Sequence, residues 1–195
     1  MILQMIIIMM MTWMKNELIT VGIDYSMSSP SVCVHIGKHW NILNCKFYYL
    51  TTRKKHFIKT DYLIGEMHSE FKTQEERFDA ISDWAISKIP KNSMVYLEDY
   101  AFGATGIVFN IGECVGLLKH KLWKNNYKFE KFAPSKIKKF ATGKGNANKI
   151  LMQESFDYEC NVKIFSELNC PAGASPLSDI IDSYYIAKLG YYIME

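Results

Sequence analysis

The sequence has little that could hold a fold together covalently. Its five cysteines, Cys33, Cys45, Cys114, Cys160 and Cys170, are odd in number and include no Cys-x-x-Cys pair. That excludes a disulfide framework and a cysteine-built zinc site, and suits reduced, mostly buried thiols in a cytoplasmic protein, the host cytoplasm if the source is viral. The histidines, His35, His39, His56, His68 and His120, show no metal-ligand spacing. Arginine is almost missing: Arg53 and Arg77 are the only two. No apolar run reaches the ~20 residues of a membrane helix. The longest, Met1 to Met14, holds six of the eleven methionines and no charge before Lys15. It lacks the basic start and small-residue cleavage site of a signal peptide. It reads either as an apolar segment that packs on the body or a partner, or as the product of an upstream start codon. No linker, low-complexity tract or repeat interrupts the rest. The expected organisation is a leader over residues 1–16 and one domain over 17–195, of a size that one core serves.

Composition is otherwise ordinary for a globular chain, at 49% apolar and 22% charged residues. The net charge of +3 conceals an uneven distribution. Ten lysines and one acid, Glu130, lie between Lys119 and Lys149, a local +9 that leaves −6 for the remainder. Such a stripe reads either as phosphate contacts or as a solvated helix face; the glycines mixed into 131–149 favour the former.

Hydrophobic patterning predicts strands over residues 17–24, 32–37, 40–51, 94–98 and 127–132. The turn chemistry of Tyr25 to Ser31 separates the first two. Helical spacing runs from Thr73 to Ile89, where Pro90 stops it, and from Ile107 to Trp123. Pro134 opens a short helix that Gly143 and Gly145 break. Helices follow from Asn148 to about Tyr158 and from Leu177 or Ser178 to Met194, with Ser178 a candidate N-cap. This order gives an α/β ribonuclease H-like fold: a mixed five-stranded sheet, three strands antiparallel and two parallel, flanked by helices.

Four acids stand where elements end. Asp24 closes the first strand and Glu98 the fourth. Asp179 and Asp182 share one face in the first turn of the last helix. In the expected fold Asp24 and Glu98 are neighbours, and the last helix must bring its acids to them. Clustered hard oxygen donors suit two divalent cations that activate water and stabilise a leaving oxygen at a phosphodiester. Asp179 would also suit a helix N-terminus by itself. Asp99 should point to the other sheet face, and Glu113 reads as a surface or packing residue.

On these residues the sequence resembles the RuvC family of Holliday junction resolvases, most closely its phage-type members. The resemblance spans about Ile19 to Ala187. Val21-Gly-Ile-Asp24 resembles the first-strand motif, Leu97-Glu98 the fourth-strand acid, and Asp179-Ile-Ile-Asp182-Ser with Ile186-Ala187 the terminal-helix motif. Lys138 to Lys149 resembles the lysine and glycine segment, with two basic residues eleven apart. The resemblance implies a homodimer that nicks opposing strands of four-way DNA junctions. It implies two Mg²⁺ ions per site, with Mn²⁺ as a substitute, held by Asp24, Glu98, Asp179 and Asp182. It also implies that Lys149 stabilises charge at the scissile phosphate, while Lys138, Lys139 and Lys144 hold the backbone. No membrane or nucleotide cofactor is implied. Two positions depart from the family: Tyr25-Ser26 replaces a Pro-Gly pair, and Ala101 replaces an aromatic wedge. Phe102, beside Tyr100, is the candidate to stack on an opened base instead.

Three rival readings follow from the same residues. A ribonuclease H-like nuclease could act on flaps, other branched DNA or RNA–DNA hybrids. An actin-like ATPase also begins with a Gly-Ile-Asp strand, but needs a second similar domain. A silent DNA-binding module would gain nothing from clustered negative charge beside DNA.

Overall fold

The structure, a computed structural model, describes residues 18–99, 108–160 and 166–194. The methionine-rich leader and the proposed stacking pair Tyr100 and Phe102 lie outside the described residues.

The strands are β1 (Ile19–Asp24), β2 (Ser31–Ile36), β3 (Cys45–Thr51), β4 (Leu63–Met67), β5 (Met94–Glu98) and β6 (Lys128–Phe132). They form one sheet in the order β4-β3-β2-β1-β5-β6. β2 runs antiparallel to β1 and β3, while β5 and β6 continue parallel to β1. The helices are α1 (Gln74–Ser87), α2 (Val108–Lys124), α3 (Pro134–Thr142), α4 (Lys149–Cys160) and α5 (Leu177–Met194). α1 and α2 cover one face of the sheet; α3, α4 and α5 cover the other.

Six strands stand where five were expected. The extra one, β4, pairs parallel to β3 at the sheet edge. It is five residues long and carries Gly65 at its centre, opposite Tyr49. An edge strand buries less than a central one and needs no continuous apolar run, so its pattern is faint. Glu66 ties it to α1 by accepting from Trp84 Nε1 (3.0 Å) and Lys88 Nζ (2.7 Å). The third strand also starts later than expected, because Ile42–Asn44 form a single 3₁₀ turn capped by Asn41.

Strand alternation decides what faces what. On β1, Val21 and Ile23 point into the core under α1 and α2. Thr20, Gly22 and Asp24 therefore point towards α5. On β5, Val95 and Leu97 share the α1/α2 core, while Tyr96 lies under α5 and Glu98 follows it to that side. Parallel pairing sets Ile23 beside Leu97, so Asp24 and Glu98 are the next residues on adjacent strands.

α5 is buried almost all round, as its apolar sequence requires. It lies across β1, β2 and β5, with α3 and α4 outside it. Two glycines permit the contact. A Cβ on Gly22 would stand 2.3 Å from Ala187 N and Ser183 O in the α5 backbone. A Cβ on Gly190 would stand 2.1 Å from the Tyr96 ring. The helix thus presses backbone to backbone on the central strand.

That contact is testable. Gly22→Ala should destabilise the protein by at least about 2 kcal/mol, because backbone cannot yield as a side chain can. Gly116→Ala on α2, where an added methyl meets nothing within 4 Å, should leave stability unchanged or raise it by up to ~1 kcal/mol. Urea midpoints of the two variants measure the difference.

Candidate active site

Three elements converge at one end of the sheet. β1 delivers Asp24, β5 delivers Glu98, and the first two turns of α5 deliver Asp179 and Asp182. The four behave as one electrostatic unit. Asp24 is held well above the ordinary carboxylate range, first by burial and then by the charges of Asp182, Asp179 and Glu98. Burial also raises Glu98, against the pull of Lys138 and Lys149. Asp182 is pushed up to about 7 by burial and by Glu98, with Lys149 opposing. Each carboxylate raises the cost of charging its neighbours.

Lysines from the other side offset part of this. Lys149, the first residue of α4, donates to Ser178 Oγ at 3.0 Å and lies 3.5 Å from Asp179 Oδ1. Lys138, on α3, acts on both Glu98 and Asp182. The two basic residues eleven apart in sequence therefore meet at the same carboxylates, because α3 ends at Gly143, whose φ of 76° turns the chain back towards α4. Lys139 and Lys144 are exposed on the same segment.

The lysine-rich stretch is not one surface. α2 and α3 lie on opposite faces of the sheet, so its lysines divide. Lys121 bridges Asp79 and Asp83 of α1, the former at 2.6 Å. Lys131 pairs with Asp99 at 2.7 Å, on the face away from Glu98. Among these lysines, Lys138 and Lys149 are the two that act on the carboxylates.

Sequence reasoning missed the hydroxyls. Ser29, buried in the β1–β2 turn, donates from Oγ to Asp179 Oδ2. Ser178 Oγ donates to Asp179 Oδ1 at 3.2 Å. The turn is itself anchored: Arg77 of α1 donates to the Met27 carbonyl at 2.7 Å, and His68 Nε2 lies 2.8 Å from the Ser28 carbonyl. The one available signal was the serine density of Ser26, Ser28, Ser29 and Ser31 directly after an acid.

Among the described residues, no three His, Cys, Asp or Glu groups are gathered closely enough to hold a metal ion as they stand. Donor chemistry nonetheless suits a hard divalent cation. Four carboxylates without thiolate or imidazole act on one another, the lysines offset their repulsion only in part, and Asp179 is occupied by two hydroxyls and an ammonium that a cation could displace.

No family model and no curated protein matches the sequence. The fold does match solved structures. It resembles the Thermus thermophilus RuvC structure with a TM-score of 0.55 at 15% identity, covering 89% of this chain and 97% of that one. It resembles T. thermophilus RuvC in complex with Holliday junction substrate with a TM-score of 0.57 at 14% identity, covering 91% and 94%. The chain has a RuvC-type, ribonuclease H-like fold.

Raised carboxylate pKa values contribute stability that is lost as pH rises. Asp182 binds its proton more tightly folded than unfolded, so the stability this group contributes is greatest at acidic pH and is lost as pH rises towards about 7. At pH 8 in EDTA, Asp182→Asn should therefore raise stability by on the order of 1–2 kcal/mol, or a few degrees in Tm. Millimolar Mg²⁺ should raise the wild-type Tm and leave that of Asp24→Asn nearly unmoved. Thermal melts at pH 5 and pH 8, with and without Mg²⁺, measure both effects.

Proposed function

We propose that this protein is a structure-selective endonuclease that resolves four-way DNA junctions by nicking opposing strands. The observation that carries the reading is the convergence of Asp24, Glu98, Asp179 and Asp182 with Lys138 and Lys149 at one end of the sheet. The T. thermophilus RuvC fold match, including a complex with Holliday junction substrate, favours a branched DNA substrate over other nucleic acids.

Asp24, Glu98, Asp179 and Asp182 would hold two Mg²⁺ ions, whose chemistry would be to activate a water and stabilise the leaving oxygen. The protein's own residues do the rest. The carboxylates repel the phosphodiester until their charge is neutralised, which makes binding and cutting separable. Lys149, anchored through Ser178, places an ammonium beside Asp179 where charge develops at the phosphate. Lys138 flanks Glu98, and Lys139 and Lys144 extend the positive surface along the DNA backbone. With only two arginines, contacts are point charges on phosphates rather than bidentate base readout, so recognition rests on junction shape.

Nicking two opposing strands requires two sites related by the junction's own symmetry, hence a homodimer.

Asp24→Asn should retain junction affinity within about threefold and lose nicking by at least about 10³-fold. Cutting at the wild-type rate would refute the metal reading. Comparing a four-way junction, a flap and an RNA–DNA hybrid ranks the substrates, and the junction should be cut fastest. Affinity should fall steeply with salt, by about 10³-fold or more between 50 and 200 mM if six or more phosphates are contacted.

A further inference from the structure

We propose that the apolar leader, residues 1–14, docks on an apolar surface of its own chain at the end of the sheet opposite the carboxylates. The surface is built by the last turn of α5 and by α3. Most of α5 is buried, yet its consecutive residues Tyr192, Ile193 and Met194 are between 37% and 49% exposed. Phe140 of α3 is 37% exposed, and its ring centre lies 6.2 Å from that of Tyr192, which joins the two helices into one patch. Lys188, over the Phe140 ring at 5.8 Å, gives the patch a charged rim. Single exposed apolar side chains are ordinary, but a contiguous group with a polar rim marks a surface that something covers.

Position identifies the occupant. β1 ends at Asp24, so the leader meets the body at the far end of that strand, next to Leu18 and Ile19. α5 runs the other way, from Asp179 past Ser183 and Ala187 over Gly22, and its last turn reaches the same far end. Two hydrogen bonds tie these places together. Gly37 N donates to the Leu18 carbonyl at 3.2 Å, and Tyr191 Oη donates to the carbonyl of the next residue, Lys38, at 2.6 Å. The leader therefore joins the body one β2–β3 link away from the patch. Lys15, Asn16 and Glu17 provide a tether of up to ~10 Å. Fourteen residues then span ~20 Å even as a helix, enough to cover the last turn of α5 and Phe140 together.

Chemistry agrees with this. The leader carries no charged side chain, and Gln4 and Thr12 interrupt an otherwise apolar run. Met5 to Met11 has no charge, proline or glycine, the composition of a segment that pairs with other copies when left in water. Methionine is unbranched and polarisable, so it fits irregular apolar surfaces and packs well on aromatic rings, which Phe140 and Tyr192 supply. A short tether holds the leader at an effective concentration of ~mM, so its own chain outcompetes a second copy in dilute solution. Docking there braces the C-terminal end of α5, the helix whose register places Asp179 and Asp182. The inference goes beyond the nuclease reading and does not depend on it.

Photo-cross-linking in the full chain tests the docking. Tyr192→p-benzoylphenylalanine is irradiated as a mixture of isotope-labelled and unlabelled protein, and the joined peptides are read by mass spectrometry. The expected product links position 192 to a peptide from residues 1–14 of the same isotope. Products of mixed isotope would place the leader on a second copy, and products without a leader peptide would leave the surface to another occupant or to water. Either result would overturn the inference. Thermal melts give an independent reading. Ile193→Asp should lower the Tm of the full chain by about 3 °C or more, since it sets a charge against the docked leader. In a chain that starts at Met14 the same position faces water, and the shift should be under about 1 °C. Equal shifts in the two chains would overturn the inference. None of these readouts involves DNA, so their failure leaves the nuclease reading standing, and a protein inactive on junctions leaves the docking standing.

Discussion

The backbone contact of α5 with β1 is the constraint on which the site depends. Gly22 lets Ala187 and Ser183 of the helix approach the central strand without an intervening side chain. Helix and strand are then fixed in both distance and register. Asp24 follows two residues after Gly22 on the same face, Asp182 directly precedes Ser183 on the helix, and Asp179 lies one turn before Ser183. A looser packing would bury α5 equally well but would leave its acids apart from the strand acids. The Ser31–Ser183 hydroxyl contact at 2.9 Å holds the same junction from β2.

Bringing four acids together is unfavourable, and the surrounding residues show how the cost is limited. Lys138 and Lys149 oppose the repulsion from one side. Ser29 and Ser178 satisfy Asp179, the most buried of the four. Arg77 and His68 fix the turn that carries Ser29. These contacts leave Asp24 and Asp182 inclined to hold protons. Residues that favoured stability alone would not be so arranged; the arrangement makes sense when a cation completes it.

Much of this was legible in the sequence, for identifiable reasons. β1 and β5 are buried on both faces and read as short continuous apolar runs. α2 shows helical periodicity because only one face is buried. Pro134 and Gly143 mark the ends of α3. Asp24 and Glu98 could be placed together because strand ends and parity follow from the elements. What escaped was long-range. β4 has no strong pattern because it is a short edge strand. Ser29 looked like a turn residue because its partner is 150 positions away. The lysine stripe looked like one surface because sequence does not show that α2 and α3 lie on opposite sides of a sheet.

The junction-nicking proposal rests on the RuvC-type fold and on the carboxylates and lysines gathered at one end of its sheet. The most direct measurement is cleavage of a synthetic four-way junction with each strand labelled in turn, in Mg²⁺ and in EDTA. The account predicts paired nicks in two opposing strands at symmetric positions, in Mg²⁺ and not in EDTA. Cleavage that persists in EDTA, or an intact junction in Mg²⁺ with protein bound to it, would contradict it.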